Sequence, residues 1–138
     1  MITKNHELRL NLGALPKVNI LGVGIHAITM AQTLAQISTW IEEGTRHYVS
    51  ICTVHTVMEC HRSEQVRRAV NNAGLATPDG MPLVWLGKLK SKHPVTRVYG
   101  PDLMLALCEL SAQRGYRHYF YGGAEGVATK LAQGLQTQ

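Results

Sequence analysis

The chain has 138 residues, 45% of them hydrophobic and 17% charged, a balance that excludes intrinsic disorder and leaves room for one buried core. Its three cysteines, Cys52, Cys60 and Cys108, are too few for a disulfide scaffold and read as reduced thiols, and no apolar run is long enough to span a bilayer. Fourteen Lys and Arg against nine Asp and Glu leave a net charge of +5; this suits an anionic partner, whether nucleotide diphosphate, nucleic acid or membrane surface, without choosing among them.

Residues 1–17 are polar and mixed and are expected to form an N-terminal arm ahead of an α/β domain over 18–138. Val18–Val23 reads as a first strand. Thr29 to Ile41 places Met30, Leu34, Ile37 and Ile41 on one helical face, with Thr29 and Gln32 as a capping box. Glu42-Glu43-Gly44 ends that helix, and His47–Thr53 is a second strand. A helical stretch follows, bent near His61-Arg62-Ser63, where Ser63 can cap a new helix from Glu64. Gly74–Pro78 is a short third strand and Met81–Leu89 a helix, followed by the basic loop 88–94. Thr96–Gly100 reads as a fourth strand. Pro101 suits the first turn of a helix running to about Gln113, with Leu103, Leu107 and Leu110 in register. Arg117–Tyr121 reads as a fifth strand, and Gly122-Gly123 leads into a last helix from Ala124. Strands alternating with helices predict an α/β fold, Rossmann-like, with a mostly parallel sheet and helices on both faces. The last helix runs to the end without a following strand, so the sheet is expected to be incomplete at the C-terminus.

Chemistry concentrates at strand ends. Thr77-Pro78-Asp79-Gly80-Met81-Pro82 sets one carboxylate on a tight turn after the third strand. Pro78 fixes its own φ, Gly80 can supply a positive one, and an acid held there suits a general base; a plain surface turn has the same composition. Arg97, at the end of a neighbouring strand, can pair with Asp79 or hold a phosphate, or be a surface residue. Asp102 in the first turn of the next helix suits the helix dipole. Tyr121-Gly122-Gly123-Ala124-Glu125-Gly126 lets a phosphate approach backbone N–H groups at a helix start. It lacks the Lys-Ser/Thr pair of a Walker loop. Gly22-Val23-Gly24-Ile25-His26-Ala27 fits the dinucleotide fingerprint in outline, but no acid follows at the end of the second strand, and a turn needing small residues explains it better. Cys52, His55, Cys60 and His61 fit no standard metal spacing, so no metal and no cofactor are expected.

Taken in order, these landmarks resemble the WecG/TagA/CpsF family of bacterial glycosyltransferases. They are Ile20-Leu21-Gly22-Val23, Thr53-Val54-His55, Pro78-Asp79-Gly80, Arg97-Val98-Tyr99-Gly100-Pro101-Asp102-Leu103 and Tyr121-Gly122-Gly123-Ala124-Glu125-Gly126. The resemblance implies a metal-independent, inverting transfer of N-acetylmannosamine or a related sugar. The donor would be a UDP-sugar and the acceptor a polyprenyl-diphosphate-linked sugar, at the cytoplasmic face of the cell membrane. Teichoic acid, enterobacterial common antigen and exopolysaccharide synthesis are the settings it implies, with no nucleic acid as partner. It makes Asp79 the general base and assigns substrate binding to Thr53, His55, Arg97, Gly100, Asp102, Gly122, Gly123 and Gly126.

Two features depart from the family pattern. His55 stands where the family has Asn after Thr-x, a position concerned with the donor. Family members also continue beyond this point, so the chain is expected to be truncated, weakly active by itself and prone to form homo-oligomers through an open sheet edge. The alternative is a non-catalytic nucleotide-sugar-binding or assembly module.

Overall fold

A computed structural model describes residues 15–137. The arm expected over residues 1–17 lies outside the described residues except at its end, where Lys17 opens the first strand. The chain divides into two compact units after Leu103. The class is α/β, and the parallel pairing lies in one pair of strands.

The first unit begins with an antiparallel hairpin, β1 (Lys17–Ile20) and β2 (Val23–His26). Leu21 and Gly22 have φ of 51° and 85°, the two positive values a two-residue hairpin turn needs. Asn19 Oδ1 accepts the Gly22 N–H at 2.9 Å. One expectation is corrected here: Val18–Val23 is not one strand. For Gly22–Ala27, the turn needing small residues is the form present, and the dinucleotide outline is not. The small residues serve a hairpin turn. Asn71 holds it in place, accepting from Gly24 N–H at 2.9 Å and donating to the Gly22 carbonyl at 3.0 Å.

Helix α1 (Met30–Glu43) opens on the Thr29–Gln32 capping box and stops at Gly44, whose φ is 67°. Strand β3 (Val49–Cys52) leads into α2 (Val54–Arg62), and α3 (Glu64–Asn71) follows after the predicted break. Ser63 serves both helices. Its N–H donates to Glu59 at the end of α2, and its Oγ accepts from Val66 N–H at the start of α3. Strand β4 (Leu75–Pro78) runs parallel to β3 with Cys52 opposite Pro78, and every residue of it is buried. On its other side, buried His26 of β2 accepts the Ala76 N–H at 2.9 Å. An imidazole therefore takes a bond that a neighbouring strand would otherwise supply. Helix α4 (Met81–Lys90) packs over β1, β2 and β4 and drives Leu83 and Val84 into the core with Val18, Ile25 and Val57.

The predicted fourth strand does not form. Thr96 N–H donates to Ile28 at 3.2 Å and Val98 N–H to Pro78 at 2.8 Å. These partners belong to two different segments, so no ladder can build up. The segment is pinned beside β4 and then enters α5 (Gly100–Arg114).

In the second unit, α5 ends at Gly115, whose N–H donates to Ser111 at 2.7 Å. Ser111 Oγ donates to the Leu107 carbonyl at 2.6 Å, so the 2.6 Å contact from His118 Nε2 is a ring N–H donating to the hydroxyl. The predicted fifth strand, Arg117–Tyr121, is not a strand either. Tyr119 and Tyr121 are 89% and 94% exposed, and no strand pairs with the segment among the described residues. Helix α6 starts at Val127 rather than Ala124, ends at Gln136 and has no buried residue.

Candidate active site

The parallel pair β3–β4 ends in two adjacent junctions. Thr53 follows β3 and caps α2: its Oγ1 accepts Thr56 N–H at 3.3 Å, and Thr56 Oγ1 accepts Thr53 N–H at 3.2 Å. Asp79 follows β4, and its N–H continues the pairing by donating to the Cys52 carbonyl at 2.8 Å. That bond carries the rigidity of the strands one residue past β4 to the carboxylate. Gly80 then caps α4. Its φ is −75°, so the positive φ expected there is corrected: the turn is made by Asp79 leaving the strand, not by a left-handed glycine. A Cβ on Gly80 would lie 3.7 Å from Val54 N and 3.9 Å from Thr53 Cα, so the starts of α2 and α4 stand side by side.

Asp79 is buried and Arg97 is about half exposed. Arg97 Nε donates to the Asp79 carbonyl at 2.6 Å and to its Oδ1 at 3.1 Å, and Nη2 stands 3.1 Å from the same Oδ1. Of the two uses the sequence offered for Arg97, the pairing with Asp79 is the one present. The guanidinium lies over the Tyr99 ring, 4.5 Å from its centroid, which fixes its plane. All guanidinium contacts to the carboxylate fall on Oδ1. Oδ2 has no hydrogen bond among the described residues and is the oxygen left for a proton.

The other candidate residues separate into three places. Thr53 lies beside Gly80, the residue after Asp79, and His55 is exposed on the first turn of α2. Gly100 opens α5 beside β3, where a Cβ would lie 3.8 Å from Ile51 Cγ2, and Asp102 is exposed two residues on. Gly122, Gly123 and Gly126 belong to the second unit and have φ of 111°, 77° and 81°. All three are left-handed values, the kind of backbone from which anion-binding bends are built.

Cys52 and Cys60 pack in the core, and burial pushes both thiols above their ordinary range, while His55 and His61 are exposed. Thr77 is fully buried two residues before Asp79, and its Oγ1 has no hydrogen-bond partner among the described residues.

Two contributors carried no role in the sequence reading. Tyr99 supports Arg97; the signal was the Arg-x-Tyr spacing, which puts both side chains on one side of an extended segment. His26 ties β2 to β4, and nothing in its own surroundings in the sequence announces that contact.

Residues 18–138 match the profile described as the Glycosyl transferase WecG/TagA/CpsF family. A curated relative from Bacillus spizizenii (strain ATCC 23059 / NRRL B-14472 / W23) is named N-acetylglucosaminyldiphosphoundecaprenol N-acetyl-beta-D-mannosaminyltransferase. It is 24% identical over 96 residues, covering 70% of this chain and 37% of the relative. The chain thus spans less than half the length of that relative.

Proposed function

We propose a reaction for this site from one premise: the chain belongs to the WecG/TagA/CpsF family of glycosyl transferases. The reaction is transfer of N-acetylmannosamine or a related sugar from a UDP-sugar to a polyprenyl-diphosphate-linked sugar, in cell-surface polysaccharide synthesis at a membrane face. The name of the Bacillus relative, which specifies a mannosaminyl group and a diphosphoundecaprenol acceptor, supports both choices.

Asp79 Oδ2 takes the proton of the acceptor hydroxyl as that oxygen attacks the anomeric carbon. The bond from that carbon to the donor diphosphate breaks on the opposite face, and UDP leaves with its electron pair, so the configuration inverts. Arg97 keeps Oδ1 occupied and presents Oδ2 in one orientation. Around the donor, Thr53 and His55 at the start of α2 and Gly100 and Asp102 at the start of α5 are the binding candidates. Helix starts suit the charge that develops on the leaving diphosphate. In their own unit, Gly122, Gly123 and Gly126 offer N–H groups to a phosphate.

The observation that carries this reading is the one-sided grip on the carboxylate, with two guanidinium nitrogens, Nε and Nη2, on Oδ1. A second reading has its own support. Arg97 Nε also takes the Asp79 carbonyl, as a pure staple of the turn would, and the chain would then bind nucleotide-sugar without turnover. Replacing Asp79 by Asn in a transferring preparation separates the two. Loss of transfer with UDP affinity retained supports the base; unchanged transfer removes it. Transfer should also persist in EDTA, and a strict need for a divalent ion would overturn the metal-free step.

A further inference from the structure

Helix α4 is apolar on both sides. Leu83 and Val84 face the core, and Gly87 sits against Val95. Met81, Trp85 and Leu89 recur at i, i+4 and i+8 on the opposite side. All three are exposed, Trp85 at 62% and Leu89 at 81%. A lone exposed Leu means little. Three large apolar residues in register on a helix whose other face is already packed make a continuous stripe.

Its surroundings have one sign. Lys88 lies on the same face, one position before Leu89, and Lys90 and Lys92 follow directly. Between Asp79 and Asp102 the sequence contains no acid. A second copy is a poor match, because a two-fold contact would set these lysines against each other. An anionic lipid surface matches both features. Trp85 and Leu89 enter the headgroup boundary, and the lysines meet the negative headgroups. We propose that the outer face of α4 docks on an anionic bilayer surface through Met81, Trp85 and Leu89, with Lys88, Lys90 and Lys92 holding it there. The helix starts two residues after Asp79, so the docked face carries the carboxylate with it. Its use, bringing the carboxylate to a lipid-linked acceptor, rests on the transfer reading above; the docking itself does not.

The test uses the 138-residue chain and vesicles of phosphatidylcholine, with or without an equal part of phosphatidylglycerol. Binding is followed by flotation, and Trp85 insertion by quenching from brominated lipid. Binding to the anionic vesicles should be at least about tenfold tighter than to neutral ones. Lys88→Gln/Lys90→Gln/Lys92→Gln should weaken it about a hundredfold. Trp85→Ser/Leu89→Ser, at unchanged charge, should lose both binding and quenching. These side chains are exposed, so circular dichroism should report an intact fold in both variants. UDP affinity is measured in parallel and should be unchanged. Vesicle binding without UDP binding would sink the transfer reading and leave the docking face standing; UDP binding without vesicle binding would do the reverse. Equal binding to neutral vesicles, or variants that bind like the parent, overturn the proposal. So does a dimer in sedimentation that Trp85→Ser/Leu89→Ser abolishes while vesicles stay unbound.

Discussion

The junction after β4 and the junction at Gly122-Gly123 share a sequence plan, an apolar or aromatic run, a glycine turn and a helix start, and they differ in what holds them. Asp79 is fixed from three sides: its N–H on Cys52, its carbonyl and carboxylate on Arg97, and Gly80 against the start of α2. Residues 117–121 form no strand and carry two bare tyrosines, and the helix that follows buries no residue. The difference is a strand partner. β3 lies beside β4 and converts a turn into a rigid mount; the second run has the composition of a strand and no pairing among the described residues. Strand propensity measures fit to a half-buried pleated surface, and without that surface it builds nothing.

The largest expected effect tests whether the rigid mount is catalytic. Asp79→Asn should lower turnover by roughly 10²–10⁴-fold with UDP affinity nearly unchanged. The amide keeps an acceptor for Arg97, so the junction should stay folded. Near-normal turnover would reduce the contrast between the two junctions to one of stability.

Next in size is the acid response of the first junction's support. His26 is buried beside Lys17, and loss of hydration there, with the lysine charge adding to it, lowers its pKa from 6.5 to about 4. The neutral ring accepts from Ala76; in the unfolded chain the ring protonates near its ordinary value. Its contribution is therefore complete above about pH 6.5 and is lost as the pH falls towards 4, on the order of 3 kcal/mol in all. Urea melts followed by Trp40 and Trp85 fluorescence should show that slope. In His26→Gln, which keeps an acceptor without a titrating ring, the slope should flatten. An unchanged slope in that variant would assign the acid response to other groups.

Arg97→Ala comes third. It leaves Asp79 buried with Oδ1 and the carbonyl unpaired, at a cost of about 1–2 kcal/mol for a half-exposed pair. Arg97→Lys should recover part of this as a point charge but not the stacking on Tyr99. A urea midpoint unmoved by Arg97→Ala would show that the backbone bond to Cys52 fixes the turn alone.

Much of the first unit was legible because its signals are local. The Thr29–Gln32 box, the Ser63 break and the Pro78-Asp79-Gly80 turn each act within a few residues and formed where expected. Arg97 reaching Asp79 was legible as one of two uses of a guanidinium at a neighbouring strand end. The hairpin was misread because Val18–Val23 is apolar throughout, and only the positive φ of Leu21 and Gly22 reverses it. Thr96–Gly100 and Arg117–Tyr121 were misread for the opposite reason. Their residues favour strands, but a strand also needs a neighbour with free N–H and C=O groups in register, and that depends on the rest of the chain. The Tyr99 stack and the His26 bond to Ala76 were invisible for the same cause, since each joins segments that only the fold brings together.

The smallest effect separates the two regions by strain alone. Gly22 and Gly123 both have positive φ, 85° and 77°. In Gly22→Ala the new Cβ meets only the Arg67 side chain, Cδ at 3.7 Å and Nη1 at 3.8 Å, ordinary contacts, so the cost is the left-handed backbone, about 1 kcal/mol. That turn is closed by Asn19 and Asn71 and joined to buried strands, so it cannot relax without losing them. The full cost should appear as a lower urea midpoint. In Gly123→Ala the Cβ lies 3.2 Å from Val127 Cγ1, and local strain is greater. Yet Val127 is exposed and α6 buries nothing, so the turn and the first residues of the helix can shift until the strain is gone. The midpoint read by Trp40 and Trp85 should move by no more than a few tenths of a kcal/mol. An equal shift for both substitutions would mean that the second glycine turn is held as firmly as the first, and the contrast between a mounted and an unmounted junction would fail.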